Sequence, residues 1–151
     1  MNIAQLMTKD VRTCKPNDTL EMAARLMWDH DIGALPVVDD SGQLIGMVTD
    51  RDACMAAFMQ RQPLHDIQVS VAMTKHVVAC RPEDSDAEVA KRMAHNKVRR
   101  IPVVDDAQRP IGVVSLNDLA LAMSRTREIT AAEVARTLAA IVAPRAAPAT
   151  A

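Results

Sequence analysis

Two tetrapeptides hold the residues best suited to chemistry: Thr49-Asp50-Arg51-Asp52 and Ser115-Leu116-Asn117-Asp118. In each, a hydroxyl precedes a carboxylate by three residues, directly after a β-branched run. At the start of a helix this spacing has two uses. One is local: the hydroxyl accepts from the third amide of the helix and the carboxylate reaches back to the capping residue's amide, a capping box. The other is recognition. A strand-to-helix turn offers free amides and the positive helix end to an anion, and a carboxylate there can accept both hydroxyls of a ribose, as in dinucleotide sites. Taken alone, the cap is the simpler reading.

A second pair of segments stands ahead of these: Gly33-Ala34-Leu35-Pro36 and Arg99-Arg100-Ile101-Pro102. Proline removes an amide and leaves backbone unpaired nearby, so a flat heterocycle can lie there against apolar side chains. A lone basic pair such as Arg99-Arg100 is ordinarily solvated surface. Beside a ribose-binding carboxylate, its planar guanidinium forks match phosphate oxygens.

The elements that must position these residues occur twice. A shift of 66 superimposes Met7-Thr8-Lys9 on Met73-Thr74-Lys75, Pro36-Val37-Val38-Asp39-Asp40 on Pro102-Val103-Val104-Asp105-Asp106, and Asp52 on Asp118. From 7 to 52, 18 of 46 positions are identical without a gap. Two copies are too few for a solenoid; they predict a pseudo-symmetric pair burying a face between its halves. Each copy opens with an apolar pattern (Ile3 and Leu6; Val69 and Ala72) and an extended piece ending at Pro16 or Pro82. A helix follows, with capping boxes expected at Asp18 with Glu21 and at Ser85 with Glu88. Two β-branched runs joined by a polar loop then predict a hairpin, and a second helix begins after Thr49 or Ser115. Thr130 with Glu133 starts a last helix carrying Val134, Leu138, Ile141 and Val142. The expected organisation is a first repeat over 1–62, a second over 67–123, a C-terminal helix over 128–143 and a disordered tail over 144–151.

Composition narrows the function. Apolar residues make up 49%, while Trp28 and Phe58 are the only aromatics. This argues against base stacking on aromatic platforms, and nucleic-acid binding is not expected. The net charge is -1. Residues 1–66 carry 6 basic and 10 acidic groups (-4) and residues 67–151 carry 12 and 9 (+3), so an anion is expected to favour the second half. With no signal peptide and no apolar run long enough to span a bilayer, the expected location is the cytoplasm, away from membranes. Cys14, Cys54 and Cys80 are odd in number and lack a C-x-x-C, so reduced thiols in or near the core are expected.

The Met-Thr opening, the strand ending Pro-Val-Val-Asp-Asp, the strand centred on Gly46 or Gly112 and the closing [Thr/Ser]-x-x-Asp, all repeated, resemble the cystathionine-β-synthase (CBS) domain. In tandem they look like a CBS pair, or Bateman module, over residues 1–123. His30 to Pro36, Val48 to Asp52 and Val98 to Pro102 resemble stand-alone bacterial CBS pairs of the hypoxic-response type. The resemblance implies an α/β fold of two β-α-β-β-α repeats about a pseudo-twofold axis, with two clefts between them. In ligand-binding members these hold AMP, ADP, ATP or S-adenosylmethionine. By position, Asp52 and Asp118 would hold ribose hydroxyls, assisted by Thr49 and Ser115. Ala34, Leu35, Pro36, Ile101 and Pro102 would border adenine, and Thr13 and Ala79 would line the same pockets. Arg99 and Arg100, and more weakly Arg51, would meet phosphate. The family also implies a homodimer that passes its signal to another protein.

The favoured cleft is the one carrying Asp118, because the first repeat has uncharged Gly33-Ala34 and an extra acid, Asp50. The leading reading is a nucleotide-sensing regulatory module with no required cofactor and no catalysis. The alternative is a structural or interaction homodimer whose motifs are only caps. An enzyme is not expected: there is no Walker loop or GxGxxG, and His30, His65, His76 and His95 lack zinc-ligand spacing.

Overall fold

The computed structural model describes residues 1–125 and 129–144; the expected tail from 145 onward lies outside them. In the first repeat, helix α1 (Leu20–Asp29) precedes the hairpin of β1 (Ala34–Val38) and β2 (Leu44–Thr49), and α2 (Asp50–Gln60) follows. After the one-turn helix α3 (Val69–Ala72), the second repeat has α4 (Asp86–Asn96), β3 (Arg100–Val104), β4 (Pro110–Ser115) and α5 (Leu116–Met123). Helix α6 (Ala131–Val142) ends the described chain. The hairpin registers match at the same offset of 66: Leu35 faces Val48, and Ile101 faces Val114. Each sheet gains a bridged residue on either side, with Cys14 beside Val37 and Thr74 beside Met47 in the first, Cys80 beside Val103 and Thr8 beside Val113 in the second.

The first capping expectation moves by one residue. Helix α1 is capped by Thr19, whose hydroxyl accepts from Met22 N at 3.2 Å. Asp18 instead closes the preceding turn, accepting from Lys15 N at 2.7 Å. Thr19 is the residue equivalent to Ser85, which forms the full box with Glu88 as expected. At the position equivalent to Glu88 the first repeat has Met22, so no carboxylate can reach back. The box at Thr130 and Glu133 forms.

The opening segment of each repeat packs on the other. Ile3, fully buried, belongs to the core of Val89, Met93, Ile101, Val103 and Leu119. Ile67 and Val69 belong to the core of Leu20, Met27, Leu35, Val37 and Val48. Backbone bonds fix both exchanges: Thr8 N donates to Val113 O at 2.9 Å, and Thr74 N to Met47 O at 2.8 Å. The central strand glycines allow this approach. A Cβ at Gly112 would meet Met7 Sδ at 2.7 Å and Thr8 O at 3.0 Å, and one at Gly46 would meet Met73 Sδ and Thr74 O at 3.0 Å. The units of packing therefore do not coincide with the sequence repeats.

Helix α6 lies on α4 and α5, burying Thr137 and seating Val134 and Ile141 against the second core. Among the described residues, α1 and α2 have no counterpart of α6 on the equivalent face. Trp28, whose place the sequence left open, is outside the core at 87% exposure, and Phe58 and Met59 are exposed as well.

Cys14 and Cys80 are buried, while Cys54 is exposed on α2. Burial first, then Asp18 or Asp84, pushes both core thiols up to about 12. A thiol-reactive dye at mildly alkaline pH should therefore label one cysteine rapidly in the folded chain and three in denaturant, because the thiolate is the reactive form. Rapid labelling of three in the folded state would contradict this packing.

Candidate functional site

The two hydroxyl–carboxylate turns form where β2 and β4 pass into α2 and α5. Thr49 and Ser115 are extended, as N-caps require. Thr49 Oγ1 accepts from Asp52 N at 3.1 Å, and Asp52 Oδ2 accepts from Thr49 N at 3.0 Å. Ser115 Oγ accepts from Asp118 N at 3.3 Å, while Asp118 Oδ2 accepts from Ser115 N and Ser115 Oγ, both at 2.7 Å. Both turns are thus complete capping boxes. Each uses one carboxylate oxygen; among the described residues, Oδ1 of Asp52 and of Asp118 makes no hydrogen bond. The cap and a ligand contact are compatible on the same side chain.

The segments before the hairpins stand beside these turns. Ala34 pairs with Thr49 and Arg100 with Ser115 across the strands. Leu35, Pro36, Ile101 and Pro102 are buried, and the two prolines keep their carbonyls engaged, accepting from Cys14 N and Cys80 N at 3.1 and 3.0 Å. Thr13 and Ala79 are half-buried just before those cysteines. Arg51 and Arg99 are exposed.

Arg100 behaves differently from its position in the sequence. Although it belongs to the second repeat, its guanidinium lies over the first. A Cβ added at Gly33 would stand 3.1 Å from Arg100 Nη2 and 3.0 Å from Asp50 Oδ2. Burial, then neighbouring Arg99, lowers the Arg100 pKa from its ordinary value, with Asp50 and Asp118 acting in the opposite sense. Among the described residues it makes no ion pair within 4.0 Å and donates no hydrogen bond. The charge expected to serve the Asp118 turn therefore also faces the turn of the first repeat. Sequence comparison of the repeats shows Arg100 against Ala34, but not that the side chain crosses between them.

Two cavities, of about 340 and 560 Å³, lie elsewhere. The smaller runs between α4 and α6; the larger is the groove between α1 and α2, lined by Asp50 but by neither Asp52 nor Asp118. Among the described residues no three His, Cys, Asp or Glu side chains gather as a metal site. No described helix is long and apolar enough to cross a membrane.

The CBS domain family profile matches residues 3–58 and 66–125. The chain belongs to the CBS domain family. A CBS domain-containing protein of Bacillus subtilis, YhcV, is 38% identical over 120 residues, covering 80% of this chain and 84% of that one. A CBS domain pair crystallised with 5'-methylthioadenosine and S-adenosyl-L-methionine is similar with a TM-score of 0.74, at 27% identity over 82% of this chain and 99% of that one. Hypoxic response protein I, solved with two coordinated zinc ions, is similar with a TM-score of 0.72, at 30% identity over 80% and 98% of the two chains. The tandem CBS-pair fold implied by the resemblance is thus the fold found.

Proposed function

We propose that this chain is a non-catalytic regulatory module that senses adenosine nucleotides in clefts between its repeats. AMP, ADP and ATP are the leading ligands, and S-adenosylmethionine a further one. The module acts as a homodimer in the cytoplasm and signals to a partner protein. CBS pairs are in general regulatory. The observation that carries the reading is the pair of turn carboxylates, each with one oxygen in a cap and the other unengaged among the described residues, beside apolar pre-hairpin segments. That a neighbouring CBS pair holds two adenosine compounds supports the same ligand class. The exposed large apolar side chains of Trp28, Phe58 and Met59 support self-association.

A sensor must bind its ligand differently in two states. A ligand between two halves that already share exchanged segments meets this need by altering how they pack. Isothermal titration calorimetry with AMP, ADP, ATP and S-adenosylmethionine is the test. Binding in the micromolar range, about -8 kcal/mol, is expected for at least one. Absence of heat across the panel would sink the sensor. The second reading, a structural or interaction homodimer that binds no nucleotide, is favoured by the complete capping boxes, which account for the motifs without a ligand.

A further inference from the structure

The two cavities lie on equivalent faces of the two repeats. Ala90, Ala94 and Leu119 line the smaller, and their equivalents at the offset of 66, Ala24, Trp28 and Ala53, line the larger. On the second repeat an amphipathic helix is already seated. Helix α6 lies on α4 and α5, and Val134 and Thr137 form part of the cavity wall. Its last carbonyls turn to Lys97, whose Nζ donates to Ala143 O at 3.0 Å and to Pro144 O at 2.9 Å. A cation there complements the negative end of the helix. On the first repeat the described residues supply no such helix, and the receiving charge is reversed. The residue equivalent to Lys97 is Asp31, exposed and in the same left-handed conformation, with φ of 51° against 52°. Asp50 joins it on the groove wall; its amide donates to Gly33 O at 3.3 Å, two residues beyond Asp31, so both acids mark one end. Among the described residues, no basic side chain lines the groove. Trp28, where the second repeat has Ala94, adds a large exposed apolar surface of the kind that anchors interfaces.

We propose that the groove between α1 and α2 receives a helix of the partner protein. That helix is amphipathic, about three turns long like α6, and carries Lys or Arg in the turn that meets Asp31 and Asp50. The inference rests on the reading that the module signals to a partner. A second copy of this chain suits the groove less by either route. Its α6, entering as on the second repeat, would set its C-terminal carbonyls against Asp31. Its own groove, laid face to face, would set like acids against each other, in a half of the chain with 10 acidic and 6 basic groups. Phe58 and Met59 do not line the groove and are left to the homodimer.

Two native reporters stand on the groove wall: Trp28, the only tryptophan of the chain, and Cys54, its exposed cysteine. The probes are synthetic peptides of residues 129–144, one with Ala139→Lys and Ala143→Lys and one with Ala139→Glu and Ala143→Glu. Both positions are exposed on α6, so the apolar stripe is kept. The lysine peptide should bind the full chain about tenfold more tightly than the glutamate peptide, as two charge reversals facing two acids imply. It should move Trp28 emission to shorter wavelength and slow Cys54 labelling several-fold. Asp31→Lys should reverse the order of the two peptides; Lys97 at the equivalent site shows that the backbone accepts lysine there. Calorimetry with AMP on the same samples reads the sensor separately. If AMP binds but neither peptide moves the reporters, or Asp31→Lys leaves their order unchanged, the helix site is wrong and the sensor stands. Reporters that become buried as the chain alone is concentrated assign the groove to a second copy and also overturn the proposal. The expected peptide order without nucleotide binding keeps the helix site and removes the sensor. If neither peptide nor nucleotide binds, both fall.

Discussion

Ile3→Ala should cost about 3 kcal/mol of stability, and the loss should fall on the second repeat. Ile3 is fully buried among Val89, Met93, Ile101 and Val103, more than 80 residues away in sequence. Truncating a buried isoleucine removes its transfer free energy and leaves a cavity, together about 2–5 kcal/mol. The segment cannot simply settle inward, because Ile3 N and Ala4 N are tied to Asp84 O and Pro82 O at 3.0 and 2.9 Å. Urea denaturation measures the total. Hydrogen exchange locates it: amides of Val103 and Val114 should lose more protection than those of Val37 and Val48. Val69→Ala, the mirror change, should reverse the pattern, since Val69 is fully buried in the first core. A loss below about 1 kcal/mol, or faster exchange in the first repeat after Ile3→Ala, would contradict the crossed packing.

Asp118→Ala should weaken adenosine-nucleotide binding at one cleft by about 100-fold and also cost about 1 kcal/mol of stability. The two effects come from different oxygens. Oδ2 bonds Ser115 N and Oγ in the cap, and losing a cap contact typically costs about 1 kcal/mol. Oδ1 is the one left to meet a ribose hydroxyl. Hydrogen bonds to charged groups contribute about 1.5–3 kcal/mol each, so losing the ribose contact accounts for the binding change. Asp118→Asn separates the roles: its carbonyl keeps the cap acceptor while the charge goes, so stability should stay within about 0.5 kcal/mol and affinity should still fall about tenfold. Asp52→Ala should behave likewise at the other cleft. Reduced stability with unchanged nucleotide affinity in both alanine variants would leave the motifs as caps and turn the function to the structural dimer.

These two results probe opposite ends of what could be read before the fold was known. The hairpins, the helices after Thr49 and Ser115, and the box at Ser85 were legible because each is encoded within a few residues. A short β-branched run marks a strand, and a hydroxyl three residues before a carboxylate marks a helix start. The error at Asp18 has the same local origin. Asp and Thr are both good caps, and the choice between Asp18 and Thr19 depended on which one closes the turn at Lys15.

The apolar pattern at Ile3 and Leu6 marked the opening of the repeat but not what Ile3 packs against. The same limit governs Arg100. Its type and place beside Ile101-Pro102 suggested a phosphate contact, while its crossing to Gly33 could be seen only in the structure. By itself the sequence determined the duplicated unit, its elements and the residues of each turn, because 66-residue self-similarity and short capping patterns need no partner to be read. Only the tertiary structure decided that the opening segments exchange, that α6 covers α4 and α5 with no counterpart on α1 and α2 among the described residues, and that the Arg100 guanidinium crosses to Gly33. Each of these depends on contacts between residues far apart in the chain, where close packing of side-chain shapes selects the partner and local pattern carries no record of it.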